Sequence, residues 1–230
     1  MTMYIKTLGL AVFSVVCILV IAGHHVLLSK AGLIKRDTTA RIESEPEATP
    51  NKRQNTVSYY FDSKIKNLEQ KNTINQSMRI ISLYTDNCII FKELRKPTGI
   101  IHIQFIPHPK SKFCLDEFTK TGESTRTIKL GADCMHVNII IHEIMHALGF
   151  SHEHQRPDRD RYVHINTNNI KPDGIIQQQF QILPGMETYN VPYDIHSVMH
   201  YNEFIPQFAI HESQPIMTFK NGTRQELFTL

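Results

Sequence analysis

Three histidines and one glutamate lie close together in the chain, at a spacing that suits a metal site. His142 and His146 are four residues apart, so a helix would place both imidazoles on one face. Gly149 allows the chain to leave that helix in a left-handed conformation, which would bring His152 back as a third ligand. Glu143 follows the first histidine, where its carboxylate can reach a metal-bound water without binding the metal. Three neutral imidazoles and one water form the open tetrahedral zinc site that is typical of catalysis.

Apolar periodicity predicts a domain of mixed α and β structure that would position this cluster. The predicted strands are residues 57–61, 88–94, 100–106 and 125–130. The predicted helices include residues 137–148, which carry two of the histidines, and a short helix within residues 173–180. Beyond Gly149 the chain is rich in loops.

Two of the predicted elements have apolar residues at positions that we expect to face the core. Asp62 or Ser63 would cap a helix after the first strand. The residues of that segment that we expect to face inward are Ile65, Leu68, Met78 and Ile81. The strand at residues 100–106 alternates, with Ile101, Ile103 and Phe105 on one side. We expect all of these apolar side chains to face the core.

Composition places the chain among globular proteins and excludes several classes. The 230 residues are 41% hydrophobic and 20% charged, which excludes a wholly disordered or collagen-like chain. Lys and Arg number 25 against 22 Asp and Glu, a net charge of +3, and no basic run is interleaved with aromatic residues. Nucleic acid is therefore not an expected partner. The 13 histidines are the unusual feature, and histidine is the commonest metal ligand.

The N-terminus contains an apolar segment typical of membrane targeting. Residues 7–29 hold no Asp, Glu, Lys or Arg. The strictly apolar part is about 16 residues, between a signal-peptide core and a full span. Val20 and Ala22 would suit signal cleavage, so an uncleaved signal anchor and a removed signal peptide both stay open. The basic residues after the segment favour a cytosolic domain, but long domains translocate largely regardless of charge. We therefore expect the domain to be secreted or membrane-anchored on the extracellular or lumenal side.

Cysteines and glycosylation sequons agree with that compartment. Cys17 lies within the apolar segment, which leaves Cys88, Cys114 and Cys134. Three cysteines predict one disulfide and one free thiol in an oxidising environment. Asn-x-Ser/Thr sequons occur at residues 75–77 and 221–223, although each is weak evidence alone.

Residues 142–160, His-Glu-Ile-Met-His-Ala-Leu-Gly-Phe-Ser-His-Glu-His-Gln-Arg-Pro-Asp-Arg-Asp, resemble the zinc motif of the astacin family in the metzincin clan. The distinguishing features are Glu153 directly after the third histidine and the Arg-x-Asp-Arg-Asp run. The block Ser-Val-Met-His-Tyr at residues 197–201 resembles a second family motif. In that motif Met199 would lie in a tight turn beneath the histidines, and Tyr201 would lie near the zinc. His200, by contrast, is expected to be structural or exposed.

The resemblance implies an α+β fold, a metzincin-like protease domain with a twisted mixed β-sheet. An active-site helix and a loop-rich C-terminal subdomain carrying a Met-turn would complete it. The implied organisation is a signal anchor or signal peptide at residues 1–29, a linker or pro-segment at 30–56, and the protease domain at 57–230. The family's C-terminal cysteine and last helix are missing from the sequence, so the domain is expected to be truncated there. The resemblance also implies a Cys114–Cys134 disulfide, with Cys88 left free.

The implied function is that of a zinc endopeptidase with one Zn²⁺ per chain and protein or peptide substrates. By resemblance Glu143 is the general base, Tyr201 stabilises the oxyanion and Glu153 contacts the mature N-terminus. The alternative is a catalytically inactive module that binds peptides in the cleft. A structural zinc protein fits less well because such sites usually contain cysteine ligands. The membrane would be a partner through the N-terminal segment if that segment is not cleaved.

Overall fold

The computed structural model describes residues 54–96, 101–112, 114–117 and 125–222. The targeting segment predicted at residues 1–29 lies outside these ranges, as does the predicted linker up to residue 53. Among the described helices, none has both the length and the apolar character needed to cross a membrane.

A five-stranded mixed sheet forms the first part of the domain. Its strands are β1 (Asn55–Phe61), β2 (Ile89–Glu93), β3 (His102–Pro107), β4 (Leu115–Glu117) and β5 (Thr125–Leu130). Their order across the sheet is β2-β1-β3-β5-β4. Only β4 runs antiparallel to its neighbour, and the other pairs are parallel. The expected mixed sheet is therefore confirmed, and β1 begins two residues before the predicted strand.

Two helices cover this sheet and bury a shared apolar core. Helix α1 (Leu68–Tyr84) turns Ile74, Met78 and Ile81 inward at helical spacing. Helix α2 (Val137–Ala147) is apolar on most of its surface and packs beside α1. The Ser77 hydroxyl of α1 reaches the Val137 carbonyl of α2 at 3.2 Å, which ties the two helices together. Helix α2 is the element that must place His142 and His146.

Three details of the predicted elements are wrong. The cap of α1 is Asn67, whose side-chain oxygen accepts from the Glu69 N–H at 2.8 Å, rather than Asp62 or Ser63. Asp62 instead accepts from the Lys64 N–H in a turn, so Ile65 is buried ahead of the helix. Leu68 then falls on the outer face of the first turn and is 70% exposed.

The third wrong detail concerns Ile101, which is 43% exposed because it precedes strand β3. Ile103 and Phe105 do face the core, as the alternation predicts.

Beyond residue 149 regular structure is sparse, as expected. Strands β6 (Val163–Ile165) and β7 (Met217–Phe219) form an antiparallel pair, and α3 (Gly174–Gln178) is a short helix. Asp173 caps α3 by accepting from two backbone N–H groups. Three single turns of 3₁₀-helix, Glu153–Gln155, Arg159–Arg161 and Thr167–Asn169, complete this part.

The cysteines follow the prediction in one pair and depart from it in the other. Cys114 and Cys134 form a disulfide with a Cα–Cα distance of 5.5 Å, as the family resemblance implied. Cys88 is also disulfide-bonded, and no cysteine in the described part of the chain is a free thiol. The prediction of a free thiol at Cys88 is therefore wrong. It rested on the family resemblance, in which Cys88 would pair with a C-terminal cysteine that this sequence does not contain.

Candidate metal centre

The three predicted ligands converge on one point. His142 and His146 lie one turn apart on α2, and His152 follows the helix. The Nε2 atom of His146 lies 3.0 Å from the Nε2 of His142 and 3.0 Å from the Nε2 of His152. Among the described residues, these three histidines are the group whose ligand atoms lie close enough together to hold a metal ion.

The end of helix α2 brings His152 into the cluster. Gly149 has a φ of +99°, a conformation that residues with a side chain rarely adopt. Its N–H bonds to the His146 carbonyl, and the Phe150 N–H bonds to the Met145 carbonyl at 3.0 Å. This pair of bonds is the Schellman ending of a helix. It reverses the chain so that the third histidine returns towards the first two.

Backbone carbonyls fix the tautomers of the two helical histidines. The Nδ1 of His142 lies 2.7 Å from the Val198 carbonyl oxygen, and the Nδ1 of His146 lies 2.8 Å from that of Phe150. A carbonyl can only accept, so each Nδ1 carries the proton. The two Nε2 atoms are consequently bare lone pairs that face each other.

An amide fixes the tautomer of the third histidine. The Nδ1 of His152 lies 3.1 Å from Oε1 of Gln155. The amide nitrogen of Gln155 donates to the Gln178 carbonyl, so its oxygen must face the ring. His152 therefore also carries its proton on Nδ1 and presents a lone pair on Nε2.

These donors fit a zinc ion. Three lone pairs with no proton between them repel one another unless a cation lies among them. Tetrahedral zinc with bonds of 2.0–2.1 Å separates its nitrogen ligands by about 3.3 Å, close to the observed spacing. Burial lowers the pKa of all three imidazoles, to about 4 for His142, so the rings are neutral as metal binding requires.

Glu143 and Tyr201 flank the histidines. Glu143 lies on α2 and is 8% exposed. The Tyr201 ring packs against His152 with centroids 4.4 Å apart, and its hydroxyl donates to Oε1 of Gln179 at 3.4 Å. Burial raises the pKa of Tyr201 to about 12, and the charge of Glu143 contributes to this rise. Tyr201 therefore keeps its proton at neutral pH and can donate a hydrogen bond close to a carboxylate.

The turn at residues 197–200 contacts the histidine site. The His200 N–H bonds to the Ser197 carbonyl at 2.9 Å, and Met199 is buried in the main apolar core. The Val198 carbonyl of this turn holds His142, and the Met199 carbonyl accepts from the Glu153 N–H at 2.9 Å. The role of Met199 as a platform beneath the ligands stays a prediction.

His200 is a buried structural residue, one of the two outcomes expected for it. Its Nδ1 donates to the Tyr201 carbonyl at 2.7 Å. Its Nε2 accepts from the Tyr193 hydroxyl, also at 2.7 Å. Burial lowers the pKa of His200 to about 4, so the ring is neutral.

Glu153 takes part in an ion pair next to the site. One carboxylate oxygen accepts from Arg156 and from the Asp194 N–H, both at 2.9 Å. Arg156 also donates one hydrogen bond of 2.9 Å to each carboxylate oxygen of Asp158. The predicted contact of Glu153 with a mature N-terminus involves residues outside the described ranges and stays a prediction.

Sequence reasoning missed Gln155, Gln179 and Tyr193, whose side chains bond to His152, Tyr201 and His200. For Gln155 a signal exists in principle. The one-turn helix Glu153–Gln155 begins directly after His152, so its third residue can turn back over that ring. For Gln179 and Tyr193 no local pattern exists, because their partners lie elsewhere in the sequence.

The mixed sheet and the helix that carries two of three clustered histidines form a metzincin-like protease domain. The peptidase family described as Astacin matches residues 45–227. The chain therefore belongs to the astacin family of zinc metalloendopeptidases.

Named relatives agree with this assignment. Zinc metalloproteinase nas-12 of Caenorhabditis elegans is 31% identical over 77% of this chain and 46% of its own length. The dorsal-ventral patterning protein tolloid of Drosophila melanogaster is 37% identical over 68% of this chain and 14% of its own. The chain thus spans less than half the length of these curated relatives.

A solved structure of similar fold is high choriolytic enzyme 1, a hatching enzyme zinc-protease of Oryzias latipes. It superposes with a TM-score of 0.60 at 29% identity, covering 74% of this chain and 82% of that one.

Proposed function

We propose that this chain is a zinc-dependent endopeptidase that hydrolyses peptide bonds in protein substrates, with one Zn²⁺ per chain. The observation that carries the proposal is the convergence of three Nε2 lone pairs, with that of His146 lying 3.0 Å from those of His142 and His152. A zinc ion held by these three residues supplies a Lewis acid that polarises a substrate carbonyl and lowers the pKa of water. Membership of a protease family supports protein or peptide substrates.

Glu143 is the general base in this proposal. It follows His142 directly on helix α2 and is buried, which restricts the positions that its carboxylate can take near the ligands. It would take a proton from the attacking water and pass that proton to the leaving amine. One carboxylate can perform both steps because the proton it accepts is the one the amine needs.

Tyr201 stabilises the oxyanion in this proposal. It keeps its proton because burial and the charge of Glu143 raise its pKa to about 12. Its hydroxyl is held by a single long bond of 3.4 Å to Gln179, which it can exchange for a stronger one to a developing negative charge. Gly149, Met199 and Glu153 would support the site through the helix ending, the turn at residues 197–200 and the Arg156 ion pair.

We also infer a secreted or membrane-anchored location, with the domain on the extracellular or lumenal side. The Cys114–Cys134 disulfide supports this inference because such bonds persist in oxidising compartments. Contact with a membrane would occur through the N-terminal segment if it is not removed.

The test compares wild type with Glu143→Gln and Tyr201→Phe on one peptide, with zinc content measured in each. Wild type should cleave the peptide, and a chelator should abolish cleavage. Glu143→Gln should retain zinc and lose about 10²–10⁴-fold in kcat/KM, the usual worth of general acid–base catalysis. Tyr201→Phe should lose about 10²-fold, because it removes one donor to the oxyanion.

Two results would count against the mechanism. Near-normal turnover by Glu143→Gln would exclude it as the base. A zinc-loaded wild type with no activity would favour the alternative, a module that binds peptides without cleaving them.

A further inference from the structure

Three consecutive backbone carbonyls at the end of helix α3 are each bonded by a side chain of the loop after His152. We call these residues, 178–180, the strap. Gln155 donates to the Gln178 carbonyl at 3.3 Å, His154 donates to that of Gln179 at 2.9 Å, and Arg159 donates to that of Phe180. In the opposite direction, the Leu183 N–H, three residues after the strap, donates a hydrogen bond to the Gln155 carbonyl at 2.8 Å. The strap is therefore firmly attached to the loop that carries the third histidine.

One end of the strap controls the third histidine through Gln155. The amide nitrogen is occupied by the Gln178 carbonyl, so the amide oxygen is presented to Nδ1 of His152 at 3.1 Å. If the Gln155 amide were reversed, its N–H would face the Nδ1–H of His152 and its oxygen would face the Gln178 carbonyl. Both hydrogen bonds would then be lost. The strap therefore sets the proton position of His152 and the direction of its Nε2.

The middle of the strap controls Tyr201 through Gln179. The backbone of Gln179 is held by His154, and its side-chain oxygen accepts from the Tyr201 hydroxyl at 3.4 Å. The Tyr201 ring packs against both the His154 ring and the His152 ring, with centroids 4.3 Å and 4.4 Å away. The Tyr201 ring is thus fixed by stacking, whereas its hydroxyl is held by a bond long enough to be exchanged easily.

We propose that Gln155 and Gln179 are positioning residues, placed by the strap, for the third metal ligand and for Tyr201. The inference rests on the proposed function, since it assigns these amides to the zinc site and to the oxyanion donor. Gln155 acts through His152, so its loss should lower the affinity for the metal ion. Gln179 orients the Tyr201 hydroxyl before that hydroxyl is given to the oxyanion, so its loss should lower turnover and leave metal affinity unchanged.

The experiment replaces each amide by an apolar side chain of similar size in the full chain. The variants are Gln155→Leu and Gln179→Leu, with Gln178→Leu as the matched control. The Gln178 side chain is exposed, and this residue serves the strap through its backbone carbonyl. Zinc affinity is measured by competition with a chromophoric chelator, and kcat and KM are measured on one peptide.

The inference predicts three different results. Gln155→Leu should weaken zinc affinity by about 10–100-fold, the usual effect of removing a partner of a ligating histidine. Gln179→Leu should keep wild-type zinc affinity and lose about 3–10-fold in kcat at unchanged KM, the worth of one weak hydrogen bond. Gln178→Leu should match wild type in both measurements.

Two further variants separate positioning from a general structural role. Gln155→Glu keeps an acceptor for His152, so it should restore zinc affinity even if Gln155→Leu folds poorly. Gln179→Leu should cause no further loss in a Tyr201→Phe background, because that protein has no hydroxyl to position.

Wild-type zinc affinity in Gln155→Leu, or no rescue by Gln155→Glu, would overturn the role of Gln155. An equal loss from Gln179→Leu with and without the Tyr201 hydroxyl would overturn that of Gln179. If wild type bound zinc without cleaving peptide, the proposed function would fail. The zinc affinities of the Gln155 variants would then still decide the inference for the metal ligand.

Discussion

The sheet half of the domain, up to Leu148, and the loop half that follows are stabilised by different interactions. The sheet half buries one large apolar cluster between its strands and its two helices. The loop half has two smaller clusters and relies on polar side chains that bond to backbone groups. Arg156 bonds to the Val191 carbonyl, and Asn169 bonds to the carbonyls of His211 and Gln214. Buried side-chain hydrogen bonds here replace the backbone ladders of regular structure.

The metal site joins these two halves. Helix α2 of the sheet half provides His142, Glu143 and His146 on a scaffold fixed by apolar packing. The loop half provides His152 and Tyr201, whose positions depend on Gln155 and Gln179. The same site therefore depends on hydrophobic burial on one side and on satisfied polar groups on the other. Substitutions in each half should reveal that difference.

The largest loss of stability is expected for Arg156→Met in the loop half. Arg156 is 4% exposed and ion-pairs with Glu153 and Asp158, and its guanidinium lies over the Tyr193 ring. Methionine would leave two carboxylates without their shared cation, which costs about 3–5 kcal/mol in the free energy of unfolding. Urea unfolding measures this loss.

The control for that substitution is Arg161→Met. Arg161 is exposed on the neighbouring 3₁₀ turn, so its replacement should change the free energy of unfolding by less than about 0.5 kcal/mol. Equal effects at the two arginines would mean that buried polar bonds do not stabilise the loop half.

The sequence predicted the sheet half better than the loop half for a physical reason. Apolar side chains repeat with the period of the element that buries them, so Ile103, Phe105 and the helical spacing of Met78 and Ile81 could be identified. The error at Leu68 arose because the helix begins later than the capping pattern suggested. Helix boundaries depend on one local hydrogen bond, which periodicity does not report.

The residues of the site also differ in how well the sequence predicts them. His142, His146 and His152 could be predicted because their spacing carries the geometry of a helix and its ending. Gln155 and Gln179 could not, because their importance depends on groups that only the fold brings to them. These are the Gln178 carbonyl for Gln155 and the Tyr201 hydroxyl for Gln179. The disulfide of Cys88 was missed for a related reason, since cysteine spacing does not show which cysteines meet in the fold.

A smaller loss is expected for Ile128→Ala in the sheet half. Ile128 is fully buried on strand β5 within the large apolar cluster. Removing three side-chain carbons leaves a cavity and should lower the free energy of unfolding by about 3 kcal/mol. The matched control, Ile210→Ala, changes a residue that is 47% exposed and should have a much smaller effect. Urea unfolding of both variants tests this, and equal losses would contradict the assignment of the core.

The smallest expected effect is that of Gly149→Ala, at the junction of the two halves. A methyl group at this position would meet no other atom within 4 Å, so no steric clash opposes the substitution. The cost comes from the φ of +99°, which is unfavourable for any residue with a Cβ, and amounts to about 1–2 kcal/mol. Gly174→Ala is the control, because Gly174 has equally open surroundings without a positive φ and should lose at most about 0.5 kcal/mol. Thermal unfolding of both variants separates backbone strain from packing. If the two alanines cost the same, the left-handed helix ending would not be what constrains residue 149, and the route by which His152 returns to the cluster would need another explanation.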